Sequence, residues 1–215
     1  MAAHGKYISQ EGDYSDTPAR ARARNQLCWK GIMFSWEIGE DLTLRSLGKN
    51  DAAALFSLIE ANRKYLREYL AWVDDIREVD GSAAFIKLQM ENEQSTAFPH
   101  ALAVFYAENL AGVCGFNSVN FANSYADIGY WLDAPLQGKG IVTRCVKFLI
   151  DYAFHQRKLH RIEIRCMEKN YKSRKIIESL GAKYEGTKRE VLWLYDHWES
   201  ERVYSLLTTD KIKFS

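Results

Sequence analysis

Gln137-Gly138-Lys139-Gly140-Ile141-Val142-Thr143 is the stretch with the clearest chemical content. It follows an apolar, aromatic run, Ala126 to Leu132. It precedes a segment, Val142 to Phe154, whose apolar residues (Val142, Val146, Leu149, Ile150, Ala153) recur at helical spacing. The order predicts a strand, a glycine turn and a helix. The first turn of a helix has free N–H groups and partial positive charge, and glycine lets backbone approach an anion closely. Such a turn suits a phosphate or pyrophosphate. It is neither the dinucleotide fingerprint G-x-G-x-x-G nor a P-loop, and taken alone it also fits a plain strand–helix connection. Further along, Asn170 stands where it can cap a short helix, Lys172 to Leu180, with Ser173 three residues on and Gly181 as the stop.

Four segments act together: Gln137-x-x-Gly140, Asn170 through Leu180-Gly181, Ile128-Gly-Tyr-Trp-Leu132 before the turn, and Glu185-Gly186-Thr187-x-Arg189-Glu190 after the second helix. In that order they resemble the GNAT family of N-acetyltransferases, and within it the RimJ/RimL-type, YdaF-like branch of ribosomal-protein N-terminal acetyltransferases. The likeness runs from about Met33 to about Leu207, with Val142 standing where the family turn has Gly or Ala. It implies an α/β fold: a central, mostly antiparallel, splayed mixed sheet with helices on both faces. It implies acetyl-CoA as cofactor, held by Tyr130, Trp131, Leu132, Gln137, Gly138, Lys139, Gly140, Ile141, Val142, Thr143, Asn170 and Ser173. The implied reaction moves an acetyl group to a primary amine, with a protein N-terminal α-amine as the first reading. A small amine (polyamine, amino acid, aminoglycoside) is an alternative, and so is a CoA-binding protein that has lost activity. A homodimer is the family expectation.

The resemblance assigns catalytic roles unevenly. Many members place a Tyr near the thiolate, at the position of Ile177; RimL-like members have a Ser at Ser173, which is therefore the expected hydrogen-bond donor to the leaving sulfur. The family's Glu base is matched by Leu192. Glu190, two residues earlier and on the same face of a regular strand, is one candidate base; Asp127 is a second, and a water chain a third. Surface charge is the plain alternative for both carboxylates.

At 215 residues and with 47% hydrophobic content, the chain has room for one domain with a sizeable core. Residues 33–215 are expected to form it. Residues 1–32, with the run Ala19-Arg-Ala-Arg-Ala-Arg24, lack periodicity and read as a disordered extension. Its arginines could grip RNA, but a net charge of +1 argues against nucleic acid as a main partner. No apolar run has the length of a membrane span and no signal-peptide pattern opens the chain. The cysteines at 28, 114, 145 and 166 make no C-x-x-C pair and the five histidines no cluster, so no metal site is expected. That usage fits a reducing cytoplasm.

The positioning elements follow from pattern. Leu42 to Ser46 alternates as a first strand; Asn50 or Asp51 caps a helix to about Ala61; Arg63 to Leu70 is a second helical stretch; Asp80 caps a third, to about Glu93. Strands are expected at His100–Tyr106, Leu110–Val119, Tyr125–Leu132, Arg161–Met167, Ala182–Leu192 and Glu199–Leu207. Tyr65, Tyr69 and Trp72 share one helical face by spacing, a core stripe by default. In the resembled family this segment walls the acceptor cleft, where Asp74 and Asp75 would attract a cationic amine.

Overall fold

Strands of the sheet bury alternate side chains. In Leu42–Ser46 every second residue is buried, and in Arg161–Met167 the buried Ile162, Ile164 and Cys166 alternate with charged residues. The computed structural model describes residues 34–210, so the expected N-terminal extension lies outside the described residues. In chain order the elements are β1 (Ser35–Gly39), β2 (Leu42–Ser46), α1 (Ala52–Leu66), α2 (Val79–Thr96), β3 (Ala101–Tyr106), β4 (Asn109–Asn120), β5 (Tyr125–Leu132), α3 (Ile141–Asp151), β6 (Arg161–Met167), α4 (Tyr171–Ser179), β7 (Lys183–Leu194) and β8 (His197–Leu207). One sheet runs β1-β2-β3-β4-β5-β6-β8-β7, and only β5 and β6 pair in parallel.

That parallel pair is short. It runs from Tyr125 opposite Arg161 to Ile128 opposite Ile164 and then stops. Gly129–Leu132 stay paired with β4, and Arg165–Met167 with β8. The two strands therefore diverge in mid-sheet, leaving backbone groups on facing edges free. The helices α3 and α4 cover one face, where Cys145, Val146, Leu149 and Ile177 pack on Phe116, Ile128, Ile164 and Tyr204. On the other face α1 and α2 place Leu55, Ile59 and Ile86 against Ala103 and Val113. Each fully buried Leu or Ile contributes about 1.5–3 kcal/mol relative to exposure. Asp127, Glu163 and Arg165 alternate with the core residues of β5 and β6, so they point to the α1/α2 side. Cys114, Cys145 and Cys166 are buried and unpaired. No helix among the described residues is long and apolar enough to cross a membrane.

The differences from expectation are local. An unanticipated strand, β1, pairs with β2. Helix α1 runs on to Leu66, and the expected second helix is its last turns plus a tight turn. The Arg63 guanidinium then donates to the carbonyls of Val73 (2.6 Å) and Ile76 (2.5 Å), anchoring a 3-10 turn at Ala71–Asp75. Tyr69 and Trp72 still line one cavity, while Tyr65 lines a neighbouring groove that Tyr69 also reaches. Asp51 stands at the N-cap of α1 but spends its carboxylate on Arg45 and on the Gly48 N–H, 2.7 Å away. Glu78, not Asp80, is the N-cap residue of α2; Asp80 sits in the first turn, where its charge faces the positive helix end.

Candidate active site

The glycine turn between β5 and α3 is held in the left-handed region, with φ of 80° at Gly138 and 73° at Gly140. A side chain would strain both positions. A Cβ added at either would meet nothing within 4 Å, so the space above the turn is open. The Arg144 N–H donates to Gly140 O at 3.0 Å as the first bond of α3. The N–H groups of Ile141, Val142 and Thr143 thus have no partner inside the helix and face a groove of about 840 Å³. Gln137, Gly138 and Gly140 to Thr143 form one wall of it; Asn170, Lys172 and Ser173 form the other. Lys172 Nζ donates to Gln137 Oε1 across the groove at 2.8 Å, placing a cation beside the helix end. Open space, free N–H groups and a positive charge suit a pyrophosphate, and the unpaired edges of β5 and β6 suit an extended chain such as pantetheine. Lys139 is the exception in the turn: it does not line the groove, and its ammonium lies 5.9 Å from the Tyr106 ring centre.

Side chains of α1 fix the end of β5. Asn62, buried, donates to Asp133 Oδ1 (2.7 Å) and Leu58 O (2.9 Å) and accepts the Ala134 N–H (3.0 Å). The Tyr65 hydroxyl donates to Leu132 O, and burial pushes its pKa up to about 12. Tyr65 therefore lines the groove beside β5 and not the acceptor wall that the family resemblance implied for it. Nothing in the sequence pattern singled out Asn62.

The groove meets a second cavity at Tyr130, Trp131, Asn170 and Ser173, which line both. Here Asn170 caps α4, its Oδ1 accepting the Ser173 N–H at 3.0 Å. The Ser173 and Tyr130 hydroxyls lie 2.8 Å apart. Burial raises the Tyr130 phenol, and it pushes the neighbouring Cys166 thiol up to about 11, with the Ser173 hydroxyl acting against it. All three groups are thus protonated at neutral pH. Ile177 is buried in the core, and the phenol within hydrogen-bond distance of Ser173 is that of Tyr130.

The second cavity, about 790 Å³, lies under α1 and α2 on the acceptor side. Trp72, Phe85, Leu88 and Trp131 wall it, and Asp127, Arg165, Asn117, Glu201 and Leu192 lie on its floor and far side. Asp127 is 3% exposed, so it is not a surface charge. Burial raises its pKa, opposed by Arg165, whose Nε reaches Oδ2 at 3.1 Å and whose Nη2 also contacts it, and by the Asn117 amide. Burial alone would lower Arg165; Asp127, Glu201 (3.7 Å) and Glu163 (3.5 Å) hold it above its ordinary value. Asn117 reaches this place through a bulge in β4. It lies over Gly129, where a Cβ would come within 2.5 Å of its Nδ2. Sequence spacing gave no sign of Arg165 or Asn117 as partners.

Two expected acceptor-side residues are not brought to this cavity. Glu190 sits where Lys188 pairs with Glu201 and Leu192 with Glu199, so three residues of β7 face one of β8. Its φ is 47°, it is exposed, and its N–H donates to Ser200 Oγ at 3.1 Å. The two-residue spacing to Leu192 thus does not put it on the same face. Asp74 is tied to Arg67 (2.8 Å) and Arg63 (3.6 Å), which spends its charge; Asp75 lines the cavity instead.

A sheet that opens between two parallel strands, with free helix-end N–H groups at one side and a pair of hydroxyls at the junction, has the shape to take an extended acyl donor in the gap. The chain belongs to the GNAT acetyltransferase family: residues 41–183 match the acetyltransferase (GNAT) domain. It is 31% identical over 175 residues to "Probable N-acetyltransferase YjcK" of Bacillus subtilis, covering 80% of this chain and 97% of that one. It is 26% identical over 169 residues to the ribosomal-protein-serine acetyltransferase of Escherichia coli, covering 79% and 94%. Among solved structures, the Microcin C7 self-immunity acetyltransferase MccE in complex with acetyl-CoA and AMP is 28% identical, with a TM-score of 0.75 over 84% of this chain and 98% of that one. The protein is an N-acetyltransferase that takes its acetyl group from acetyl-CoA.

Proposed function

We propose that the acetyl group goes to the N-terminal α-amine of a peptide or protein. The observation that carries this reading is that the acceptor side offers a single buried carboxylate as base, and that one is ion-paired. Leu192 occupies the base position, Glu190 points elsewhere, and Asp127, the buried carboxylate of the cavity, is shared with Arg165. An α-amine has a pKa near 7.7–8.0 and a lysine ε-amine near 10.4, so at pH 7.5 roughly a third of the former and about one in a thousand of the latter is neutral. Such a site favours the amine that needs least help. The names of two relatives, the ribosomal-protein-serine acetyltransferase and the uS5-alanine N-acetyltransferase of E. coli, agree with it.

Acetyl-CoA, when bound, supplies a thioester carbonyl for the amine to attack. The turn from Gly138 to Thr143 with Lys172 binds the donor's pyrophosphate, and the free edges of β5 and β6 orient its arm. Asp127 accepts the proton that the amine must shed, its raised pKa bringing it closer to the amine's. Ser173, backed by the Tyr130 hydroxyl, offers a proton at the junction, where the leaving sulfur emerges.

A thiol-release assay with acetyl-CoA tests the reading against four acceptor sets: free N-terminal peptides, N-blocked lysine peptides, polyamines and aminoglycosides. Free N-termini should exceed blocked lysine peptides by roughly two- to three-hundredfold on neutral fraction alone. Turnover of polyamines or aminoglycosides well above peptides would favour a small-amine acceptor, which a cavity of about 790 Å³ also admits.

A further inference from the structure

We infer that the acceptor carries an apolar or aromatic side chain beside its amine, lodged against Trp72, Phe85, Leu88, Trp131 and Leu192. The inference rests on the α-amine reading and adds the class of acceptor.

These five side chains come from the 3-10 turn, α2, β5 and β7, and all line the one cavity. Leu88 stays 53% exposed, and the other four are only partly buried, so the chain itself does not cover them. A single exposed Leu is ordinary, but several large apolar groups converging on a cleft mark a ligand surface. The Trp72 and Trp131 rings lie 6.4 Å apart and tilted by 51°, making one continuous aromatic wall. The wall is held in place. The Tyr195 hydroxyl at the β7–β8 hairpin donates to Leu70 O at 2.7 Å, and the Arg67 guanidinium lies 4.3 Å from the Tyr195 ring centre, tying the hairpin that carries Leu192 to the turn that carries Trp72.

The same cavity reaches Asp127 on its floor and Ser173 at the junction. An amine placed between those two has its neighbouring substituent facing the apolar wall. A Ser or Ala first residue would leave that wall in water, whereas Leu, Met or Phe would cover it. This acceptor class differs from those in the names of the serine- and alanine-directed relatives, and Leu192 adds to the apolar surface.

The test measures kcat/KM of the full chain with five peptides that differ only in the first residue: Ser, Ala, Leu, Met and Phe. Leu, Met and Phe should exceed Ser and Ala by at least about 10-fold, the usual discrimination of an apolar pocket. Leu88→Ser and Trp72→Ala should each narrow that ratio; Leu88, being exposed, can be changed with little risk to the fold. Equal rates, or Ser and Ala ahead, would overturn the pocket while leaving the α-amine reading intact. If no peptide is acetylated, the α-amine reading falls, and 2-phenylethylamine against putrescine then decides the pocket. Faster phenylethylamine supports it and faster putrescine overturns it.

Discussion

The donor groove and the acceptor cavity share Tyr130 and Ser173 but are made of different material. The groove is mostly backbone: a left-handed glycine turn, three free N–H groups and the unpaired edges of two strands. The cavity is mostly side chains, drawn from the 3-10 turn, α2, β4, β5, β6, β7 and β8. Backbone geometry follows from a few local residue types, so the groove can stay constant while the cavity changes acceptor. If that division holds, changes in the groove should abolish donor binding whatever the acceptor, and changes in the cavity should alter rate or choice while leaving donor binding alone.

The largest effect is expected at Gly140. Gly140→Glu puts a carboxylate where the pyrophosphate lies, and calorimetry should show acetyl-CoA binding lost. The fold should survive, because the new Cβ meets open space and the left-handed strain costs only about 1–2 kcal/mol. Retained binding would break the assignment of the groove.

Next comes Asp127→Asn, which should lower kcat by about 10²-fold or more with acetyl-CoA binding unchanged. Glu190→Gln should leave both nearly as they were. With Asp127 as the base, the wild-type rate would require it ionised. Its pKa is raised by burial, so kcat should fall as pH drops through a value above that of an ordinary Asp, and Asp127→Asn should flatten that limb. A large loss in Glu190→Gln with none in Asp127→Asn would reverse the assignment.

Asn62→Leu probes the link between the two regions. It removes two hydrogen bonds at the end of β5 and one within α1, and should cost about 1–3 kcal/mol in denaturant unfolding. KM for acetyl-CoA should rise more than KM for the acceptor, since the bonds hold the strand that the donor lies along.

The smallest effect belongs to a pair that lines neither region, although Glu163 links its Arg161 (3.0 Å) to Arg165 (3.5 Å) at the cavity. Arg161 holds the Glu185 carboxyl down to about 2, with help from Ser205 and against burial. The folded value lies below the unfolded one, so this stability is present above about pH 4.3 and lost as pH falls toward 2. The pair is largely exposed, so Glu185→Gln should cost at most about 1 kcal/mol at neutral pH.

The same division explains what could be read from the sequence. The boundaries of β5 and β6 and the sites of the glycine turn and of α4 were legible because alternation, glycine and caps act over a few neighbouring residues. The acceptor side was not. Asp127 stood as a candidate base beside the reading as surface charge, and nothing decided between them, because Arg165, its partner, lies on another strand and the parallel register that joins them leaves no local signal. Glu190 was misplaced because alternation assumes regular pairing, and a bulge intervenes. Asp74 was misplaced because α1 ends at Leu66, where Arg63 draws the chain into a turn through carbonyls that no spacing rule anticipates, and Tyr65 because its hydroxyl bonds to Leu132 O at the end of β5.

The central claim is that this acetyltransferase acts on α-amines. The most direct measurement offers wild-type protein one peptide carrying a free N-terminus and one internal lysine at pH 7.5, with acetyl-CoA in excess. The acetylated atom is then located by fragmentation mass spectrometry. Acetyl on the N-terminal nitrogen, with the lysine essentially unmodified, is the expected result. Acetyl on the lysine with the terminus untouched would contradict the account.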